Sequence, residues 1–398
     1  MHLKAWHGHL AGGFLGLLFG LAPALGAMPP AQPADGPGGV GDRAASVVKR
    51  AVGRSGASSF VFYKSGAAPA EGRSVVVFLH GWGAVNPQAY GAWIDHLARQ
   101  GHLVVFPRFQ EPNRTRPADA TANAERLLKA ALSDLAGDAD ARPNLAKVAL
   151  IGHLAGAPIA ANIAADARTQ DLPVPKLIFA VMPGGIASNP KARGIALDDL
   201  AAIAPETLIV TVIGDKDARA ADAAARRLLR EASAVGADRK LFVRALSDDH
   251  GFPALTATLA SPAGLDAGYD GSAIKMPPEP PRDPKQVAPG FKWTPDMALT
   301  GEQQTLVSQI NNARADSLDY LAYWKTFDLA AAAAFSGADA TSLKNNARFS
   351  DMERWNDGWP VKRLAVETPR PSPTHAPAAA PAGGGAPPAR NATAPRRP

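Results

Sequence analysis

The 398-residue chain contains no cysteine. That excludes disulfide bonds, a thiolate nucleophile, cysteine metal sites and a lipid-modified cysteine behind an export signal, and it leaves the hydrophobic core to hold the fold alone. Unbalanced charge is also scarce in the body of the chain. Residues 1–57 hold five Lys/Arg against two Asp, residues 364–398 hold four Arg against one Glu, and these two ends account for the whole net charge of +6. A neutral body between basic ends argues against a nucleic-acid groove, so no nucleic-acid partner is expected. There is no internal repeat.

The two ends read differently from the middle. Lys4 and several histidines precede an apolar stretch from Ala11 to Leu25, closed by Ala24, Gly26 and Ala27. The stretch is too short and too rich in glycine for a membrane span, so residues 1–27 are read as a cleaved signal peptide. The expected location is secreted or periplasmic, with no membrane span left after cleavage. Residues 28–57, rich in Pro, Gly and Ala, predict a flexible lead-in. Residues 364–398 are a Pro/Ala-rich tail with too little apolar surface to fold, expected to be disordered. One domain is expected over residues 58–363.

Within it, short β-branched runs alternate with helical patterns. Ser59–Lys64 predicts an edge strand; Ser74–Leu79, His102–Phe106, Lys176–Val181, Thr207–Ile213 and Lys240–Leu246 predict buried ones. Helical spacing covers 88–99, Ala120–Leu135 and Arg219–Val235. Strands and helices in short alternation give an α/β fold: a mainly parallel central sheet with helices on both faces. A long helix is predicted over Asp316–Phe335, with Tyr320, Tyr323, Trp324 and Phe327 on one face. That face suits core packing, and also an adaptor surface for an envelope partner.

The chain is organised around residues 147–163, KVALIGHLAGAPIAANI. An apolar run ends in Gly152-His153-Leu154-Ala155-Gly156 and a small-residue helix follows. This is the outline of a nucleophile elbow, a tight strand-to-helix turn that lifts one side chain above the sheet edge. Gly152 and Gly156 stand where the turn leaves no room for a Cβ. The lifted residue is Leu154, which has neither a lone pair to attack a carbonyl nor a proton to lose.

Three further signals follow other strands. His80-Gly81-Trp82-Gly83 is a turn able to aim a backbone N–H, that of Trp82, at a developing oxyanion, with Ala155 N–H as second donor. Gly214-Asp215-Lys216-Asp217 offers a carboxylate to orient an imidazole, Asp217 first and Asp215 in reserve, or an ordinary helix cap. Ser247-Asp248-Asp249-His250-Gly251 offers His250 as general base, or an ordinary loop histidine. A metal site from Asp248, Asp249 and His250 is poorly supported, because adjacent loop residues seldom converge on one ion, and neither metal nor cofactor is expected.

Oxyanion turn, elbow, acid and histidine occur in this order, each behind its own strand. In "VVVFLHGWG", "VALIGHLAG", "VIGDKD" and "SDDHG" the chain resembles the α/β-hydrolase superfamily over about residues 58–363. It is most similar to exported bacterial esterase- and lipase-like members near the dienelactone-hydrolase and cutinase-like branch. "LDYLAYWKTFD" and "WNDGWPVKRL" also resemble the closing part of such secreted hydrolases. The resemblance implies hydrolysis of carboxylic esters through an acyl-enzyme without a cofactor, with His250 as base, Asp217 as its acid, and Trp82 and Ala155 as oxyanion donors. The nucleophile position falls on Leu154. Loss of that nucleophile lowers kcat on the order of a millionfold in a serine hydrolase. Ser247 and Ser188 lie on other loops, and nothing in the sequence sets either against His250.

Three readings stay open: a protein impaired as an esterase that keeps its pocket for an ester or acyl ligand, a hydrolase altered at one position, and an enzyme using the His250–Asp217 pair as general base without a covalent step. An envelope adaptor is the non-enzymatic alternative. With no large cap between the strands, the expected cleft is open.

Overall fold

The computed structural model describes residues 26–54, 57–189, 191–216, 219–278, 292–299 and 303–369. The stretch read as a signal peptide up to residue 25, the tail from residue 370 and Asp217 lie outside the described residues.

The strands are β1 (Val47–Arg54), β2 (Ala57–Lys64), β3 (Arg73–Leu79), β4 (Leu103–Pro107), β5 (Pro143–His153), β6 (Leu177–Val181), β7 (Leu208–Gly214), β8 (Lys240–Ala245) and β9 (Ala365–Glu367). They form one nine-stranded sheet in the order β1-β2-β4-β3-β5-β6-β7-β8-β9. From β4 through β8 all pairs are parallel; β1–β2, β2–β4 and β8–β9 are antiparallel. The parallel strands are buried along most of their length. Their unbroken Val/Ile/Leu runs follow from cover on both faces, since no strand face has to satisfy water.

The principal helices are α1 (Gly91–Arg99), α2 (Ala120–Leu135), α3 (Gly156–Asp166), α4 (Arg219–Glu231), α5 (Gln303–Asn312) and α6 (Lys325–Ser336). Helix α1 turns Trp93, Ile94 and Leu97 into the core. Helix α3 is buried nearly all round, which its alanines permit: small side chains let it lie close over the sheet. A π-helical turn over Asp319–Trp324 runs into α6. Tyr323, Trp324 and Phe327 are buried there, with Trp93 packed against Tyr323 and Phe327. The aromatic face is core, and as an adaptor surface it is unavailable. Among the described residues no helix is long and apolar enough to cross a membrane.

The lead-in differs from the flexible segment expected. Residues 47–54 form β1, in full register with β2. Upstream, the chain is a strap tied to distant elements. Pro30 O accepts from Ser317 Oγ and Tyr320 Oη, and Gly38 N–H donates to Asp328 Oδ2 at 2.8 Å. His96 Nδ1 donates to Gly39 O at 2.9 Å and its Nε2 to Asp328 at 2.9 Å. Proline and glycine mark this stretch as irregular; its order comes from side chains almost three hundred residues away. The far boundary shifts as well, because β9 adds three residues of strand beyond position 363.

Candidate functional site

The front of the site is built by β3, β5 and α3. A Cβ on Gly152 would lie 2.6 Å from Ala157 Cα, and one on Gly156 would lie 2.6 Å from the Leu79 carbonyl carbon. Both contacts are with backbone, so helix and strands approach this closely only through glycine. Between them Leu154 has φ 51°, in the left-handed region. A leucine there costs roughly 1–2 kcal/mol, and three backbone bonds hold it. Leu154 N–H donates to Val181 O at 3.1 Å, and Leu154 O accepts from Ala157 N–H at 3.0 Å and Gly184 N–H at 3.2 Å. The elbow geometry is therefore complete, with an isobutyl group at its tip.

That side chain is 9% exposed and lies against the oxyanion turn. A Cβ on Gly81 would be 3.1 Å from Leu154 Cδ1 and 3.3 Å from Tyr90 Oη. In the turn, Gly81 N–H donates to Tyr90 Oη (3.0 Å) and Gly83 N–H to Gln110 Oε1 (2.8 Å). The N–H groups of Trp82 and Ala155 donate to no group among the described residues.

A buried network missed by sequence reasoning supports this turn. His153 Nε2 donates to Leu259 O at 2.8 Å, which leaves Nδ1 to accept from the Tyr90 hydroxyl at 2.8 Å. The hydroxyl oxygen in turn accepts from Gly81. Burial pushes His153 down from the ordinary 6.5 to about 4, so the neutral tautomer required by these bonds is the stable one. His80 is equally buried, stacked between Phe106 and Phe109, and burial lowers it to about 4 as well. The signal for His153 is its place at the end of an apolar strand, where a neutral buried histidine fits; nothing local points to Tyr90, 63 residues earlier.

Behind β7 and β8 the expected partners go elsewhere. Asp215 accepts from Ser247 Oγ, and Asp217, the first choice of acid, lies outside the described residues. The loop after β8 folds into a small hairpin closed by Asp248 and Leu255, which exchange both backbone bonds at 2.8 Å. His250 stands near its tip. Its Nε2 donates to Asp357 Oδ2 at 2.7 Å, and its ring stacks on Trp359 with centroids 5.4 Å apart. No contact among the described residues joins His250 to Leu154 or Asp215. Asp248 accepts from His250 N–H and Lys362 N–H, and among the described residues no group of three or more His, Asp or Glu could hold a metal ion.

The cleft is partly open. Residues 292–299 and α5 lie over the front of the site: Val307 Cγ2 would sit 2.7 Å from a Cβ on Gly83, and Leu299 Cδ2 2.5 Å from one on Gly185. They help to line a partly open cavity of about 600 Å³, bounded by Trp82, Gln110, Asn113, Trp293, Leu299 and Val307, among others. None of its lining residues is charged. A neutral molecule with both polar and apolar parts is the chemistry such a lining suits.

The strand order, the parallel pairs from β4 to β8 and the strand–elbow–helix unit are those of the α/β-hydrolase fold, and the chain is an α/β-hydrolase-fold protein. A sequence model of the chlorophyllase family matches residues 67–198, which ends before β7 and so covers the elbow and the oxyanion turn but neither Asp217 nor His250. No curated protein matches the chain. Among the solved structures that resemble it are several esterases. Carboxyl esterase 2 from the mycorrhizal fungus Tuber melanosporum is 16% identical, covering 52% of this chain and 79% of that one with a TM-score of 0.38. The thermophilic carboxylesterase EstE1 from a metagenomic library is 19% identical, with 52% and 81% covered and a TM-score of 0.38. An esterase from Pyrobaculum calidifontis is 18% identical, with 50% and 75% covered and the same score.

Proposed function

We propose that the chain is an exported ester- or acyl-binding protein on a carboxylesterase-like scaffold, impaired as a serine esterase. The observation that carries this reading is Leu154 in the left-handed tip of a complete elbow, with an uncharged cavity of about 600 Å³ in the same fold whose lining includes Trp82 but neither Leu154 nor Ala155. An acyl-enzyme needs an atom that attacks the carbonyl, and leucine supplies none. The N–H groups of Trp82 and Ala155 would still hold a carbonyl oxygen, and the apolar part of the lining, Trp293, Leu299 and Val307 among it, would hold the acyl chain. Because no hydrogen bond or ring contact among the described residues joins His250 to Leu154, a serine at position 154 is expected to find no base beside it. This second loss distinguishes the reading from a hydrolase altered at one atom.

The test is titration of the full chain with p-nitrophenyl hexanoate, read through tryptophan fluorescence and p-nitrophenolate release together. Trp82 and Trp293 line the cavity, so binding is expected to change the emission saturably, with no release above buffer. Leu154→Ser is expected to gain less than about tenfold in turnover, against the on the order of a millionfold that a nucleophile is worth in an intact triad. A gain of several orders of magnitude that vanishes with His250→Ala would replace this reading by a hydrolase disabled at one residue. Turnover by the unsubstituted chain that needs His250 would replace it by a mechanism without serine.

A further inference from the structure

Gln110 is a buried amide in a loop, just beyond the carboxyl end of β4 and only 6% exposed. Two contacts hold that loop beside the oxyanion turn. The Phe109 ring stacks on His80 with centroids 4.1 Å apart, and Asn123 Nδ2 donates to Phe109 O at 3.3 Å. Gln110 Oε1 in turn accepts from Gly83 N–H at 2.8 Å, one residue beyond Trp82. A backbone N–H can only donate, so this bond settles which branch of the amide is the oxygen. The other branch is Nε2, an NH2 group with two protons to give. It donates to no group among the described residues, and it is not sealed inside the core. The space open to it is the cavity that Gln110 lines.

A donor pinned in the wall of an uncharged cavity discriminates between ligands. An oxygen of the ligand set against Nε2 replaces the water that it displaces. An alkyl group in the same place strips that water away and gives nothing back, and a buried donor left unpaired is expensive. Asn113 is the other amide of the lining, but it is exposed, so water satisfies it whichever ligand is bound. Gln110 has no such recourse, and its anchored loop spares it the cost of being ordered on binding. We propose that Gln110 is a specificity-determining residue, which selects esters carrying a second oxygen acceptor, an oxo, ether or hydroxyl group, over plain alkyl esters of the same length. This rests on the reading of the cavity as an ester or acyl site and adds the ligand's second functional group to it.

The experiment titrates the full chain, by tryptophan fluorescence, with p-nitrophenyl hexanoate and with its 4-oxo and 5-oxo analogues. All three share the nitrophenyl group, so the ratio of their affinities reports the acyl oxygen alone. At least one oxo ester is expected to bind about tenfold more tightly than the hexanoate. In Gln110→Met, which has no donor, that ratio is expected to fall to about one. Gln110→Glu keeps an oxygen for Gly83 N–H and puts an acceptor where the donor was, so the ratio is expected to fall there as well. Both variants are checked for an unchanged thermal midpoint and for hexanoate binding within about threefold of the unsubstituted chain; a turn that has merely collapsed would weaken all three probes together, leave the ratio in place and overturn the inference. Equal affinities in the unsubstituted chain overturn it too, and leave the ester reading standing. A preference that survives both Gln110 variants, or that Asn113→Ala alone removes, takes the role away from Gln110. Saturation by none of the three probes overturns the ester reading and this inference together.

Discussion

The front and the back of the site have had different fates. At the front, behind β3 and β5, every backbone feature of an esterase elbow stands: the two glycines, the left-handed residue between them and the oxyanion turn braced by Tyr90 and His153. At the back, behind β7 and β8, Asp215 serves Ser247 and His250 serves Asp357. The difference lies in what holds each part. Gly152 and Gly156 are fixed by clashes with backbone, so the fold itself demands them. The residue at the tip of the elbow is fixed by the chemistry it performs, and the fold accepts leucine there at modest strain. Loops after β7 and β8 make few demands on the sheet, so their side chains are free to find other partners. The shape of such a turn is thus set by its backbone and not by the side chain at its tip.

The sharpest way to break this comparison is Gly156→Ala. The added Cβ meets the Leu79 backbone, which β3 cannot yield, and a loss of about 3–5 kcal/mol is expected in denaturant unfolding. Gly337→Ala, with φ 78° and no atom within 4 Å, is the matched control and should cost only about 1 kcal/mol. Equal costs at the two sites would mean that the elbow is not held as described.

Acid sharpens the comparison next. His80 and His153 at the front stay neutral down to about 4 when folded, against the ordinary 6.5. The unfolded chain therefore binds protons that the folded one refuses, and stability is lost as pH falls from about 6.5 towards 4, by up to about 3 kcal/mol per histidine. His96 in the strap runs the other way. Burial opposes its charge, but the Asp328 carboxylate outweighs burial and raises it above the ordinary value. Its contribution is complete below about 6.5 and is lost as pH rises through the folded value. His153→Asn is expected to flatten the slope of stability against pH on the acid side by about one proton, and His96→Asn to leave that side unchanged. An unaltered acid slope in His153→Asn would contradict a neutral His153.

The smallest effect is expected at the back. The His250–Asp357 pair is 29% and 45% exposed, and His250→Ala should cost under about 1 kcal/mol by thermal or denaturant unfolding. A loss as large as that at the elbow would make the hairpin a structural keystone and erase the contrast.

Most of the sheet was legible because strands buried on both faces spell themselves in β-branched runs. Ser74–Leu79 is observed as Arg73–Leu79, Thr207–Ile213 as Leu208–Gly214, and Ala120–Leu135 is the second helix as read. Strand β1 was not legible, since Val47–Arg54 carries three cations and sits at an edge, half-buried, behind a Pro/Gly-rich stretch. The elbow was readable from glycine spacing because the constraint is local. The attachment of His250 to Asp357 spans 107 residues and depends on where a surface turn happens to dock, which no local pattern records.

The strap has a consequence for the order in which the molecule is assembled. Gly38 finds its carboxylate 290 residues later and Met28 its amide 328 residues later. A chain growing from its amino end therefore carries residues 28–38 without these partners until nearly all of the sequence has been made. Contacts of such long span close last and slowly, whatever the speed of the sheet between them. Until then the beginning of the chain stays accessible to proteases and to any machinery that handles unfolded polypeptide, and the closing of the strap is the event that ends that period.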